Sequence, residues 1–357
     1  MGGRALVALA LVLGACGGSE EPAPTIAWRG AYQPFSEDSP LRKPIPVDAT
    51  LHPASARMIA DLVAACGRDP GASCKFPRLA GAPEPDRFFT EFGAPVFVAG
   101  PNERLRTVIC KRFPCGIAGI TGDDTRALYN VPIPAGATAE PSVDGHMIVY
   151  DPAKEAAWEF FRASYSTEKD EWTTEGGIRW SLKSDGTDAV GEPGTAVGGG
   201  TPMFGTIVRP EEVREALRNG THVIPHVLSG GYDSPRIGCF ITPLVKATDA
   251  DDGRAWAIPE GAILRLDPDI DLDELDLNPA ARVIARTLQL YGMVIRDDSG
   301  AFTIDVENVS AEDGAHPGRS GAWNALGVDK DSLSAVRADL FQVVAWAPEQ
   351  AHGSNCP

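Results

Sequence analysis

Three short apolar runs near the middle of the chain, residues 146–150 (HMIVY), 157–163 (AWEFFRA) and 177–182 (GIRWSL), constrain the fold more than any other feature. Each is too short for an ordinary helix, and they are rich in aromatic and β-branched residues. Asp151-Pro152 divides the first pair and the polar residues 164–169 the second. Apolar runs separated by turn chemistry predict an antiparallel meander. Further strands are predicted at 95–99, 106–109, 223–228, 239–245 and 262–266. Residues 293–296 and 301–306 flank Asp297-Asp298-Ser299-Gly300, which reads as a hairpin turn. The Gly- and Asp-rich stretch 184–201 reads as a long loop over one end of the sheet.

Helices are fewer. Residues 55–66 place Ile59, Leu62, Val63 and Cys66 on one face. Pro210 opens a short helix that Gly220 closes. Asn278-Pro279 caps a helix over 280–291, with Val283, Ile284, Thr287, Leu288 and Tyr291 as its buried stripe. The Pro-rich residues 31–53 are expected to wrap a core as extended chain. No repeat or compositional break divides the rest. The expectation is mainly β: a single antiparallel β-sandwich over 31–357, with an N-terminal wrapping segment, a few peripheral helices and a C-terminal helical tail.

The first fifteen residues read as a leader. After Arg4 come nine apolar residues, 5–13, too few to span a bilayer but suited to a signal peptide. Leu13-Gly14-Ala15-Cys16 resembles a bacterial lipobox, which implies cleavage before Cys16 and a lipid on its thiol. Residues 16–30 then form a lipidated flexible tether. The expected location is the bacterial cell envelope, with the anchor at Cys16 as the sole membrane contact. Six cysteines remain, an even number that argues for disulfides in an exported chain. Proximity favours Cys66–Cys74, Cys110–Cys115 and Cys239–Cys356 among the fifteen connectivities that six cysteines allow. A formal charge of −17 argues against nucleic acid and against general attraction to polyanions.

Five segments occur in order: Pro34-Phe35-Ser36-Glu37-Asp38-Ser39-Pro40, Val131-Pro132-Ile133-Pro134, Asp144-Gly145-His146-Met147, Ile258-Pro259-Glu260-Gly261 and Leu266-Asp267-Pro268. Together they resemble a poorly characterised family of secreted bacterial proteins. The resemblance implies a jelly-roll-like β-sandwich and brings no assigned reaction.

The candidate catalytic residues are Asp144, His146, Glu159 and His222. Asp144 and His146 open one predicted strand, and Glu159 interrupts an aromatic run on the next. If those strands pair, the groups share a face, and two carboxyls flanking a glycosidic bond suffice for hydrolysis. A glutamate among aromatics also has its pKa raised, as a general acid needs. The plainer alternative makes Asp144 a turn residue, His146 a core residue and Glu159 solvent-facing. His222 and His226 would share a strand face, with Pro225 between them. No cofactor is expected; a divalent metal on His146, His222 and His226 is the lesser alternative. Glu175, Arg179 and Glu260 read as edge or turn residues. The alternating Asp267, Asp269, Asp271 and Asp273 fail as an EF-hand, because Leu272 and Asn278 stand where Gly and Glu are needed. No GxSxG nominates a serine nucleophile.

These residues predict an enzyme acting on extracellular polysaccharide or oligosaccharide, by glycoside hydrolysis. One alternative is a lyase with His146, His222 or Tyr150 as base and Arg179 as neutraliser. The other is a non-catalytic glycan-binding surface lipoprotein. Seven tryptophans are expected to stack on sugars.

Overall fold

The computed structural model describes residues 34–65, 74–84, 92–118, 126–187, 194–247, 253–312 and 321–357. The leader, Cys16, the tether and Cys66 lie outside these residues. The helices are α1 (Ser55–Ala64), α2 (Pro210–Arg218) and α3 (Pro279–Leu290). Strands in the first half are β1 (Arg78–Ala80), β2 (Val96–Val98), β3 (Leu105–Cys110), β4 (Cys115–Ile117), β5 (Ala127–Pro132) and β6 (Met147–Asp151). Then come β7 (Ala156–Phe161), β8 (Ser164–Ser166), β9 (Glu171–Thr174) and β10 (Gly176–Ser181). The second half carries β11 (Leu228–Tyr232), β12 (Phe240–Ile241), β13 (Ile263–Leu266), β14 (Met293–Asp298), β15 (Thr303–Asp305), β16 (Phe341–Val343) and β17 (Ala351–His352). The chain is mainly β, in several sheets.

The predicted meander forms as β6, β7 and β10, each antiparallel to the next. Asp151 shapes the first turn, its Oδ1 accepting from the N–H groups of Ala153 and Lys154 at 3.0 and 3.1 Å. The β8–β9 hairpin is inserted between β7 and β10 and joins another sheet, in the order β5-β3-β9-β8. Parallel edge strands complete the five-stranded sheet, in the order β2-β6-β7-β10-β4. One of its faces, with Phe97, Met147, Val149, Trp158 and Phe160, packs on Val108, Leu128, Val131 and Trp172 of the β5-β3-β9-β8 sheet. The other face, with Val96, Ile148, Tyr150, Ile178 and Trp180, packs on Phe35, Met203, Phe204 and Val294. A third core surrounds the sheet β11-β14-β13-β16 and takes in all three helices.

Four expectations are corrected. The sheets are mixed, with parallel pairs β1·β15, β2·β6, β3·β9, β4·β10 and β11·β14, because long connections rather than tight turns deliver those strands. The two strands flanking Asp297–Gly300 do not pair as a hairpin. β11 takes the position beside β14, and Gly230 lies so close to the Thr303 carbonyl that a Cβ there would sit 1.9 Å from it. Residues 223–227 form no strand, since Pro225 withholds a donor and His222 sits at φ 53°. The described C-terminal residues 321–357 hold 3₁₀ turns and two short strands in place of an α-helical tail.

The disulfides Cys110–Cys115 and Cys239–Cys356 are present, and Cys74 is buried. Backbone hydrogen bonds tie the described residues before α1 to the body. Phe35 N–H donates to Leu182 O and Ile45 N–H to Leu290 O, each at 2.8 Å. No helix among the described residues is long and apolar enough to cross a membrane. At α3, the Asn278 side chain accepts from Ala281 N–H at 2.8 Å and donates to Gly327 O at 2.6 Å. Asn278→Ala is expected to lower the unfolding free energy by about 1 kcal/mol. Chemical denaturation measures it, and an unchanged midpoint would dismiss the cap.

Candidate active site

Two adjoining cavities open between the ends of β6 and β7 and the C-terminal end of β14. The larger, of about 530 Å³, runs along Arg78, Phe92, Gly230, Arg296, Ser299 and Asp305. The smaller, of about 270 Å³, is bounded by Phe113, Phe161 and residues 195–198. Asp144, His146, Asp297 and Asp298 line both, so they form the common wall.

Asp144 and His146 are delivered by a built turn. Gly145 has φ 49°, and a Cβ there would meet the Arg162 backbone at 3.1 Å. The main chains of 144–145 and 162–163 join through Arg162 N–H to Asp144 O at 2.8 Å and Ala163 N–H to Gly145 O at 3.0 Å. Glu140, buried behind the turn, accepts from Ser142 N–H at 2.7 Å, Ser142 Oγ–H at 2.6 Å and His146 N–H at 3.3 Å. Burial still raises its pKa above the usual carboxylate range. Burial, more than any neighbour, also raises Asp144; Arg162 and Arg296 pull it down again, while Asp305 adds to the rise. His146 is driven to a pKa of about 3 by burial and secondarily by Arg296, so its imidazole is neutral at ordinary pH. Its Nδ1 lies 3.3 Å from Phe160 O and its ring centroid 5.7 Å from that of Phe161.

The rest of the common wall comes from β14. Asp297 accepts from Gly198 N–H and from Asp298 N–H, both at 2.9 Å. Burial pushes its carboxyl up to about 6; Gly198 and Arg296 oppose the shift, and Asp144 adds to it. Asp298 accepts from Ser234 N–H at 2.9 Å. Arg296, 4% exposed, holds Asp305 through Nε at 2.6 Å, while its Nη1 has no hydrogen-bond partner. Ser229 Oγ–H also donates to Asp305, at 3.3 Å.

Of the residues nominated from sequence, Asp144 and His146 meet in the cleft. Glu159 lies on the same sheet face, opposite Ile148, but it is 0% exposed and lines neither cavity. Its Oε1 accepts from Phe204 N–H at 2.8 Å, and burial raises its pKa to about 7. His222 is exposed on the turn after α2, away from both cavities. His226 is buried instead with Glu212, 3.2 Å from its carboxylate. Tyr150 stacks on Phe204 in the second core, and Arg179 lies over the Trp158 ring on the other sheet face. Among the described residues, no group of three or more His, Cys, Asp or Glu is placed to hold a metal ion. No tryptophan among them lines the cleft, where Phe92, Phe113 and Phe161 stand; Trp158, Trp172, Trp180 and Trp323 belong to the cores.

Sequence pattern does not single out Arg296, Asp297, Asp298 and Asp305, the first three reading as a strand end and a turn. Two signals point to them. Three charged residues follow directly on the apolar Met293-Val294-Ile295, and Gly230-Gly231 marks a strand that another backbone approaches closely. No protein-family model matches the chain, and no curated protein or solved structure does.

Proposed function

We propose that the cleft hydrolyses a glycosidic bond, with Asp297 as general acid and Asp144 as the carboxylate that acts as base or nucleophile. The observation that carries this reading is that both carboxyls stand in the one wall common to two adjoining cavities. In this reading the scissile bond lies across that wall, between the two groups. Burial and the neighbouring Asp144 charge keep a proton on Asp297 up to about pH 6. Burial raises Asp144 as well, but Arg162 and Arg296 work against that rise and favour its ionised form. Unlike environments around two carboxyls are what divides acid from base. Neutral His146 offers a hydrogen bond to a sugar hydroxyl.

Lyase chemistry would need His146 as base and Arg296 behind the sugar carboxylate, and a histidine whose pKa is held at about 3 is a weak base. The carboxyl-rich junction disfavours an anionic sugar and tips the reading to hydrolysis. The frame is read as a β-sandwich, because the five-stranded sheet and the β5-β3-β9-β8 sheet share one core. The parallel edge pairs depart from a jelly-roll winding. Export and lipid anchoring at Cys16 belong to the same proposal, supported by the leader residues and by two disulfides that suit an oxidising compartment.

The test is incubation with hexasaccharides of cellulose, xylan, mannan, arabinan and chitin, with polygalacturonate as the anionic comparison. New reducing ends without an unsaturated, ultraviolet-absorbing terminus are expected, and Asp144→Asn should abolish them while still binding. An unsaturated product would establish the lyase instead. Binding without turnover by the wild type would establish a binding protein.

A further inference from the structure

The smaller cavity has an aromatic wall that the acid–base chemistry leaves unused. Phe113 lies in the four-residue loop closed by Cys110–Cys115 and is 45% exposed, although it lines a cavity. The Arg112 guanidinium sits 4.9 Å from the Phe113 ring centroid, and the ring lies beside Gly176 of β10. Phe161 continues the wall towards His146, with Arg162 likewise 4.9 Å from its ring centroid. Both arginines reach one carboxylate oxygen of Glu175, at 3.4 and 3.0 Å. This network braces the rings and offsets part of the positive charge behind them.

We propose that the smaller cavity is a second sugar subsite with Phe113 as its stacking platform, so that a neutral glycan is gripped on both sides of Asp144 and Asp297 and cut internally. The inference rests on the hydrolase reading and adds substrate class and mode of cleavage to it. Three observations support it. The carboxyl pair stands at the junction of the cavities rather than at the blind end of one, which leaves room for sugar on either side of the bond. An exposed phenyl ring within a cavity offers the apolar surface on which the C–H face of a sugar packs. Glu175 offsets one of the two arginine charges, and Asp144, Asp297 and Asp298 make the junction acidic, so the scissile position disfavours an anionic ring.

The experiment uses the full chain and whichever neutral hexasaccharide of the panel the wild type cleaves. The wild type should release mid-length products. Phe113→Ala should raise KM about tenfold, in line with the loss of one stacking contact, and shift cleavage towards a chain end, with kcat little changed. Phe113→Trp should restore both KM and product pattern, which a merely structural role for the ring does not predict. Unchanged KM and products in Phe113→Ala, or release of single sugars from one end by the wild type, would overturn the subsite and leave hydrolysis standing. Failure of the wild type to cleave any neutral hexasaccharide would overturn the hydrolase reading, and this inference with it.

Discussion

Replacing Asp297 with Asn is expected to lower kcat by about 10²- to 10⁴-fold, the usual contribution of one positioned general acid. The amide keeps the shape of the carboxyl, and its oxygen still accepts from Gly198 N–H, so binding should change little. The pH profile carries the sharper test. Activity needs Asp144 ionised and Asp297 protonated. It should therefore rise as the pH passes the elevated pKa of Asp144 and fall as it passes about 6, where Asp297 loses its proton. In Asp297→Asn the fall on the alkaline side should disappear, because no proton is left there to lose. Aryl glycosides with strongly acidic leaving groups should suffer far less from the substitution, since their departure needs no proton. Full activity in Asp297→Asn, or equal losses on good and poor leaving groups, would remove Asp297 from the acid role. Asp144 contributes to the raised pKa of Asp297 through like charge, so Asp144→Asn should lower it in an NMR titration.

Glu159→Gln is expected to stabilise the protein at pH 8 and to leave its stability unchanged at pH 4. The carboxyl is sealed beneath the cleft, and its folded pKa is about 7 against an ordinary value of 4.5. Below 4.5 the folded and unfolded chains both hold the proton, so ionisation does not favour either. Between 4.5 and about 7 the unfolded chain ionises freely while the folded carboxyl keeps its proton, so wild-type stability falls as pH rises. Above that window the loss is complete, at an upper bound of about 3 kcal/mol for a shift of this size. Glutamine does not titrate, and its carbonyl can still accept the Phe204 N–H. Urea midpoints at the two pH values measure the difference. A variant weaker than wild type at pH 8 would show that the charge on Glu159, through Arg296, supports the fold after all. Turnover should stay within a few-fold of wild type, because the side chain has no access to substrate. A kcat loss as large as that of Asp297→Asn would return Glu159 to the chemistry.

Several elements are legible in the amino-acid sequence. The helices at 55, 210 and 279 follow from their caps, prolines and 3.6-residue apolar spacing. The meander of β6, β7 and β10 follows from short apolar runs and the Asp151 turn. Both are local signals: neighbouring residues carry them, and neighbouring residues satisfy them. The Cys110–Cys115 pair is equally local. Cys239–Cys356 follows by elimination across 117 residues and is present in the structure. Strand partners outside the meander are not legible. Nothing in residues 223–232 says that β11 will lie parallel to β14 and displace a hairpin, because that choice is made by packing between distant segments.

The same division runs through the site. Local pattern is enough to place Asp144 and His146 at the mouth of a strand and Glu159 on the strand beside it. Period-two alternation even puts His146 and Glu159 on one face. Whether a face meets solvent, a cleft or a core depends on what the rest of the chain lays over it. Here the backbone at Met203 and Phe204 closes over Glu159, while His146 shares a cavity wall with Asp297 and Asp298. Residue types and local geometry were therefore determined by the sequence alone. The partnership of Asp144 with Asp297, 153 positions further along the chain, was decided only when packing between the sheets brought two strand ends together, because electrostatic coupling depends on distance in space and not on separation in sequence.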